Sequence, residues 1–335
     1  MQGNRRKGRA SAVGSWVMRL VCVLALALSA CGIAGCKNNA PKKYAVKNWS
    51  EVQQTIDNAK SSDILDLSKL ASPTDSCTIS IPENFNMAII GNPDVTYVGV
   101  AIRCAGGNAI TIQDLNIMST DNQTESTLQF AGWGNQLILV GNNRITNSFA
   151  HDSQGFGAAV GVFESSTLTI SGSGSLTAQG GTNAAGIGGG SGRGAGDITI
   201  REGVIRAFAG NEGYGAGPVS QAAGIGGGKG GAGGNIVISG GELWAVSYGA
   251  AGIGAGSGAS EGTLRMSGGK LYACGALLPE SGAIYCRIEA LPEVYRWWVT
   301  TGSAGEIVEY RVFPDNSFNN SATFDQVYIE VPVSQ

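Results

Sequence analysis

The sequence of 335 residues contains one histidine, His151, which argues against a histidine-based metal centre and against a Ser-His-Asp triad. Charge is equally scarce. Only 14% of residues are charged, the formal net charge is −3 and the pI is near 5.3. There is no basic excess of the kind nucleic-acid binding requires, so nucleic acid is not an expected partner. With only nine prolines and no strict three-residue period, collagen is excluded despite abundant glycine. With 43% hydrophobic residues the chain also lacks the composition of a disordered linker. What it has is glycine: 53 residues, 35 of them between Gly155 and Gly262. A chain so rich in glycine must bury its core by an unusual route.

The first 36 residues read as an export signal. Arg5, Arg6, Lys7, Arg9 and Arg19 give a positive region, and Leu20 to Ala30 is an apolar run too short to span a bilayer. It ends in Leu28-Ser29-Ala30-Cys31, followed by Ile33-Ala34-Gly35-Cys36. Both resemble the bacterial lipobox, in which cleavage precedes a cysteine that is then diacylated. The resemblance implies residues 1–36 as a lipoprotein signal peptide, lipidation at Cys36 or Cys31, and a membrane partner reached through the anchor. Residues 37–43 then form a polar spacer. Lipidation at Cys36 leaves Cys77, Cys104, Cys274 and Cys286, an even number in an oxidising compartment, with Cys77/Cys104 and Cys274/Cys286 as nearest-neighbour disulfides. The alternative is free thiols packed as small hydrophobes.

Trp49, Val52, Ile56 and Ala59 have helical spacing, with Ser50 as candidate N-cap and Gln53 three residues on. Asp63–Leu67 reads as the first strand. The stretch NWSEVQQTIDNAKSSDILDL, a capping helix leading directly into strands, resembles the start of pectate-lyase-like right-handed parallel β-helices. Short period-two strands follow at Thr78–Ile81, Met87–Ile90, Ala109–Ile112, Leu115–Ile117, Leu137–Val140 and Leu168–Ile170. No helical pattern separates them, so the fold class is all-β.

An internal repeat sets the architecture. Ala184–Gly190 recurs at Ala222–Gly228 and, with one change, at Ala250–Gly256, placing Ile187, Ile225 and Ile253 38 and 28 residues apart. The longer unit carries a ten-residue insertion around Gly210 to Gln221. An earlier, degenerate copy begins at Ala158. Three short strands in a unit of this length suit one coil of a parallel β-helix, whose coils stack at about 4.8 Å. The alignment predicts three internal columns: Ile198/Ile236/Leu264, Ile200/Ile238/Met266 and Ile205/Leu243/Leu271. The β-helix is expected over residues 44–286, with clear repeats at 158–286, and an aromatic-rich C-terminal β cap over 287–335. The pattern AAGIGGG…GGNIVISGGELWA resembles glycine-rich β-helical surface proteins and lipoproteins of Gram-positive gut bacteria. That resemblance implies a location and an architecture, not a reaction.

Chemistry-bearing motifs are few. Gly186-x-Gly188-x-Gly190 does not match a dinucleotide fingerprint, Lys229 is followed by glycine rather than Ser or Thr, and repetition in every coil argues against a single nucleotide site. A calcium ladder needs acidic residues at equivalent positions, but Asp197 aligns with Asn235 and Thr263. No metal or cofactor is expected. The acidic residues Asp197, Glu202, Glu212, Glu242 and Glu261 do not align between coils, which weakens a polysaccharide lyase or glycoside hydrolase. One surface feature stands out. If Ile205, Leu243 and Leu271 point inward, then Arg206, Trp244 and Tyr272 point outward as a column, beside Val204, Glu242 and Lys270, with Glu242/Lys270 an opposite-charge pair. The sequence is therefore read as a monomeric surface lipoprotein, non-catalytic, that serves adhesion or binds polysaccharide or host glycan through this column, lipid-anchored to the outer face of a bacterial membrane. A lyase or hydrolase of the same fold and a purely structural spacer stay open.

Overall fold

The computed structural model describes residues 40–120, 125–147, 157–210, 220–275, 284–290, 296–300, 307–311 and 326–331. The expected export signal with Cys31 and Cys36, His151 and most of the ten-residue insertion lie outside the described residues. Within the compact unit Lys42–Gln335, parallel strands form three faces of an all-β, right-handed parallel β-helix. Right-handedness is the hand that a twisted strand imposes on its crossover to a parallel neighbour.

One coil shows the path. Ile187–Gly188 lies on a first face, Asp197–Ile200 on a second and Val204–Gly210 on a third, and the chain then re-enters the first face at Ile225–Gly226. The register matches the alignment of the repeats: Ile198 pairs with Ile236 and Ile236 with Leu264, Ile200 with Ile238 and Ile238 with Met266, and Ile205 with Leu243 and Leu243 with Leu271. All nine side chains are buried. Complete burial of such a side chain contributes roughly 1.5–3 kcal/mol, and a single coil could not enclose it.

The corners are built in two ways. In the N-terminal half, buried asparagines bridge successive coils. Asn135 accepts the Asn108 N–H at 3.3 Å and donates to the Thr167 carbonyl at 3.2 Å. Asn143 accepts the Leu115 N–H at 3.0 Å and donates to the Ser175 carbonyl at 3.1 Å. These amides replace backbone partners that a corner cannot supply. In the C-terminal half, glycine takes over. Gly226 has φ +136°, and a Cβ there would lie 1.8 Å from the carbonyl oxygen of Gly254 on the next coil. Only a residue without a side chain allows that approach.

The N-terminal end corrects two expectations. Lys43–Ala45, placed partly in the spacer, is itself the first strand and pairs with Ile64–Asp66. The helix comprises a 3-10 turn, Trp49–Glu51, and an α-helix, Val52–Asn58. Its N-cap is Asn48, not Ser50: Asn48 Oδ1 accepts the Glu51 N–H, and Ser50 donates its hydroxyl to the same oxygen at 2.6 Å. Gln53 serves a different purpose, since its side-chain amide bonds both backbone groups of Ser80 on the edge of the first face.

At the C-terminal end, Ile284–Ala290 turns a corner. Its first residues pair with Ile253–Gly254 on the first face and the following ones with Gly262–Arg265 on the second. The third face is continued by antiparallel strands in the order Gln326–Val331, Arg296–Thr300, Ile307–Arg311.

The expected disulfides are not formed. Cys77, Cys104 and Cys286 are free thiols. Cys77 stands opposite Val100 while Cys104 stands opposite Ile81, so the pair is offset by four residues, roughly 13 Å along the strands. A disulfide needs Cα atoms within about 7 Å. Cys274 belongs to the third face and Cys286 to the strand that joins the first and second. Burial pushes the Cys286 thiol up to about 12 and raises those of Cys77 and Cys104.

Candidate functional site

The outward surface of the third face is organised in columns. Arg206, Trp244 and Tyr272 are in register on neighbouring strands. The residues on either side of each in sequence, Ile205 and Ala207, Leu243 and Ala245, Leu271 and Ala273, are all buried. Strand alternation therefore presents the three larger side chains outward. Arg206 is exposed, Trp244 and Tyr272 half-buried. The Arg206 guanidinium lies over the Trp244 ring, 4.5 Å from its centroid, a cation–π contact that orders both groups.

Two columns flank this one. Val204, Glu242 and Lys270 are in register, as expected, but the ion pair that Lys270 makes is with Glu330 on the antiparallel strand, Nζ to Oε1 3.8 Å. On the other side run Phe208, Val246 and Cys274, all half-buried. The result is a flat strip with rings at the centre, charge on one side and apolar groups on the other. Such a strip can stack the apolar C–H faces of sugar rings on its aromatic faces, while Arg206 offers planar N–H donors to hydroxyls.

The carboxylates that a lyase or hydrolase would gather are used singly. Glu164 Oε1 accepts the Gly194 N–H at 3.2 Å, and Glu202 Oε2 accepts the Gly172 N–H at 3.3 Å. Asp197, Asn235 and Thr263 form a hydrogen-bonded chain on the outside of the second face: Asn235 Nδ2 donates to Asp197 Oδ1 at 2.7 Å, and Thr263 Oγ1 donates to Asn235 Oδ1 at 2.7 Å. Among the described residues no group of three or more His, Cys, Asp or Glu could hold a metal ion.

Two exposed aromatic residues escape a reading based on repeats. Tyr248, 57% exposed, follows the third-face strand Glu242–Val246, and Trp133, 66% exposed, sits on the turn before Asn135–Val140. The glycine-flanked Gly132-Trp133-Gly134 was the available signal for the second. At a nearby type of corner, the Arg193 guanidinium packs over Phe163, 4.7 Å from the ring centroid.

No curated protein and no solved structure matches the chain. A family model described as a beta helix repeat matches residues 168–191 and 236–257, two segments that each begin on the second face and run through the third face onto the first. Over those segments the chain is similar to the beta helix repeat family, in agreement with the parallel stacking of its coils.

Proposed function

We propose that this protein is an exported, lipid-anchored surface protein that binds polysaccharide, without catalysis, through the third face of its β-helix. The observation that supports the reading most is the in-register column Arg206–Trp244–Tyr272, with Arg206 stacked on Trp244. The anchor is assigned to Cys36 or Cys31, on the two lipobox-like sequences that follow the apolar run Leu20–Ala30. It acts as a monomer, with the β-helix standing off the outer face of a bacterial membrane.

The test is a glycan-array screen of the chain from Lys37 onward, with and without calcium, paired with product analysis for every glycan retained. The proposal expects retention that does not depend on calcium and leaves the glycan intact. Cleavage of a retained polysaccharide would replace it with the lyase or hydrolase reading, and absence of retention would leave a spacer. Labelling with a radioactive fatty acid, lost in Cys36→Ser or in Cys31→Ser, assigns the anchor.

A further inference from the structure

We propose that the third-face site extends towards the N-terminus as far as Arg144, and that its ligand is a linear polysaccharide carrying a carboxylate on alternate sugars. The inference rests on the glycan-binding reading above and adds the extent of the site and the charge pattern of the ligand. Register sets the extent. Arg144 pairs with Thr177 and Thr177 with Arg206, so the line reads Arg144, Thr177, Arg206, Trp244, Tyr272 over five successive strands. The neighbours of Arg144 in sequence, Asn143 and Ile145, are buried, as are those of Thr177, Leu176 and Ala178. Strand alternation therefore turns Arg144 and Thr177 outward, Arg144 exposed and Thr177 half-buried. One strand further on, Asn116 continues the register but spends its amide on Thr96 Oγ1, at 2.7 Å. At about 4.8 Å per strand the line from Arg144 to Tyr272 is roughly 19 Å long, and it follows the solenoid axis. A strand step is close to the length of one pyranose in an extended chain, so a polymer laid along the axis presents one sugar to each strand.

The two arginines set the charge pattern. They stand two strands apart, with the uncharged hydroxyl side chain of Thr177 between them. Neither is held in an ion pair among the described residues. Arg206 is stacked on Trp244, an arrangement that leaves the N–H groups in the guanidinium plane available to a carboxylate. A guanidinium at the first and third positions, and a neutral group at the second, suits an acid group on every other sugar. Trp244 and Tyr272 offer ring faces to the sugars that follow. A polymer acidic at every sugar needs positive potential along its whole length. The flanks do not provide it. Glu242, Lys270 and Glu330 lie in the neighbouring column, and Asp114, Arg201 and Glu202 at the corner with the second face. Together with Arg144 and Arg206 these make four cations and four carboxylates, so the positive charge is confined to the two arginine positions of the line.

The experiment is native affinity electrophoresis of the full chain through four gels. Hyaluronate and unsulfated chondroitin carry a carboxylate on alternate sugars, polygalacturonate on every sugar and hydroxyethylcellulose on none. We expect retention on at least one of the two alternating polymers, stronger than on polygalacturonate or hydroxyethylcellulose. It should weaken when salt rises from about 0.1 M to about 1 M, which shortens the screening length from about 10 Å to about 3 Å. Arg144→Gln should weaken retention about tenfold at unchanged circular dichroism, the scale of one charge-assisted contact. The retained polymer with its carboxyl groups reduced to hydroxymethyl should show a similar loss on the parent protein, a readout that needs no variant to fold. Equal retention of the reduced polymer would overturn the acidic ligand. Retention abolished by Trp244→Ala but untouched by Arg144→Gln would overturn the extension and leave the shorter site standing. Retention on polygalacturonate or hydroxyethylcellulose in place of the alternating polymers would overturn the charge pattern while leaving glycan binding intact, and retention on no gel would overturn both readings.

Discussion

The side-chain amide of Gln53 takes the place of a missing strand beside Ser80. Its Oε1 accepts the Ser80 N–H at 2.9 Å and its amide nitrogen, Nε2, donates to the Ser80 carbonyl at 3.1 Å. Ser80 lies on Cys77–Ile81, the outermost strand of the first face, where the next coil would otherwise bond. An unpaired edge of this kind is a template for association with another chain. On the third face the Ser72 hydroxyl plays a similar part, accepting the Val98 N–H at 2.8 Å. Gln53→Ala is therefore expected to cost about 1–3 kcal/mol, from two lost hydrogen bonds at one edge. It should also raise concentration-dependent association in light scattering. An unchanged melting temperature together with an unchanged scattering profile would contradict this role.

Glycine substitutions should separate two kinds of position. At Gly226 a Cβ would meet the Gly254 carbonyl oxygen at 1.8 Å, whereas at Gly230, with φ +71°, nothing lies within 4 Å. Gly230→Ala bears only the strain of a left-handed backbone, about 1–2 kcal/mol. Gly226→Ala bears a clash between coils as well, and is expected to cost at least about 3 kcal/mol. Thermal melts of the two variants side by side measure the difference; equal losses would contradict the close-stacking role of Gly226.

Thiol chemistry gives a third prediction. Cys77, Cys104 and Cys286 are reduced, and burial raises all three thiols, that of Cys286 to about 12. The thiolate is the reactive form, so alkylation near pH 8 should be slow until the chain unfolds. A reductant should leave the melting temperature unchanged. Loss of a native disulfide typically costs about 2–5 kcal/mol, so a clear drop under reductant would show that a bond exists.

Acid should loosen the first coil through Asp66. Burial works to raise its pKa, but hydrogen bonds from Lys43 and Ser68 outweigh burial and hold the carboxyl below its ordinary 3.8. Lys43 Nζ lies 2.8 Å from Asp66 Oδ2 and ties the first strand to the second. A folded-state pKa below the unfolded one stabilises above about pH 3.8, and that contribution is lost as pH falls through the lower folded value. Asp66→Asn should thus be less stable than the parent at neutral pH, with the gap closing in acid. A gap of constant size in melts at several pH values would contradict the assignment.

The C-terminal coils were legible because they repeat. Fixed offsets between Ile187, Ile225 and Ile253 aligned every strand downstream, so three internal columns and the outward line Arg206–Trp244–Tyr272 followed from counting alone. The N-terminal coils obey the same stacking, but their corners depend on single asparagines, Asn108, Asn135 and Asn143, whose bonds run to the backbone of other coils. Gln53 misled for a related reason. Its position fits a cap within its own helix, yet its partner lies 27 residues away. The order of the C-terminal strands was hidden because spatial order departs from sequence order there: Gln326–Val331 lies between Gly269–Cys274 and Arg296–Thr300. No period in a sequence announces an antiparallel return.

The most direct measurement compares the parent with Trp244→Ala/Tyr272→Ala for retention on the polysaccharide identified by the glycan screen. Both residues lie outside the buried columns, so circular dichroism and the melting transition should show the β-helix intact. The account predicts at least a tenfold loss of affinity, about 1.4 kcal/mol or more. Unchanged retention in a folded double variant would contradict it.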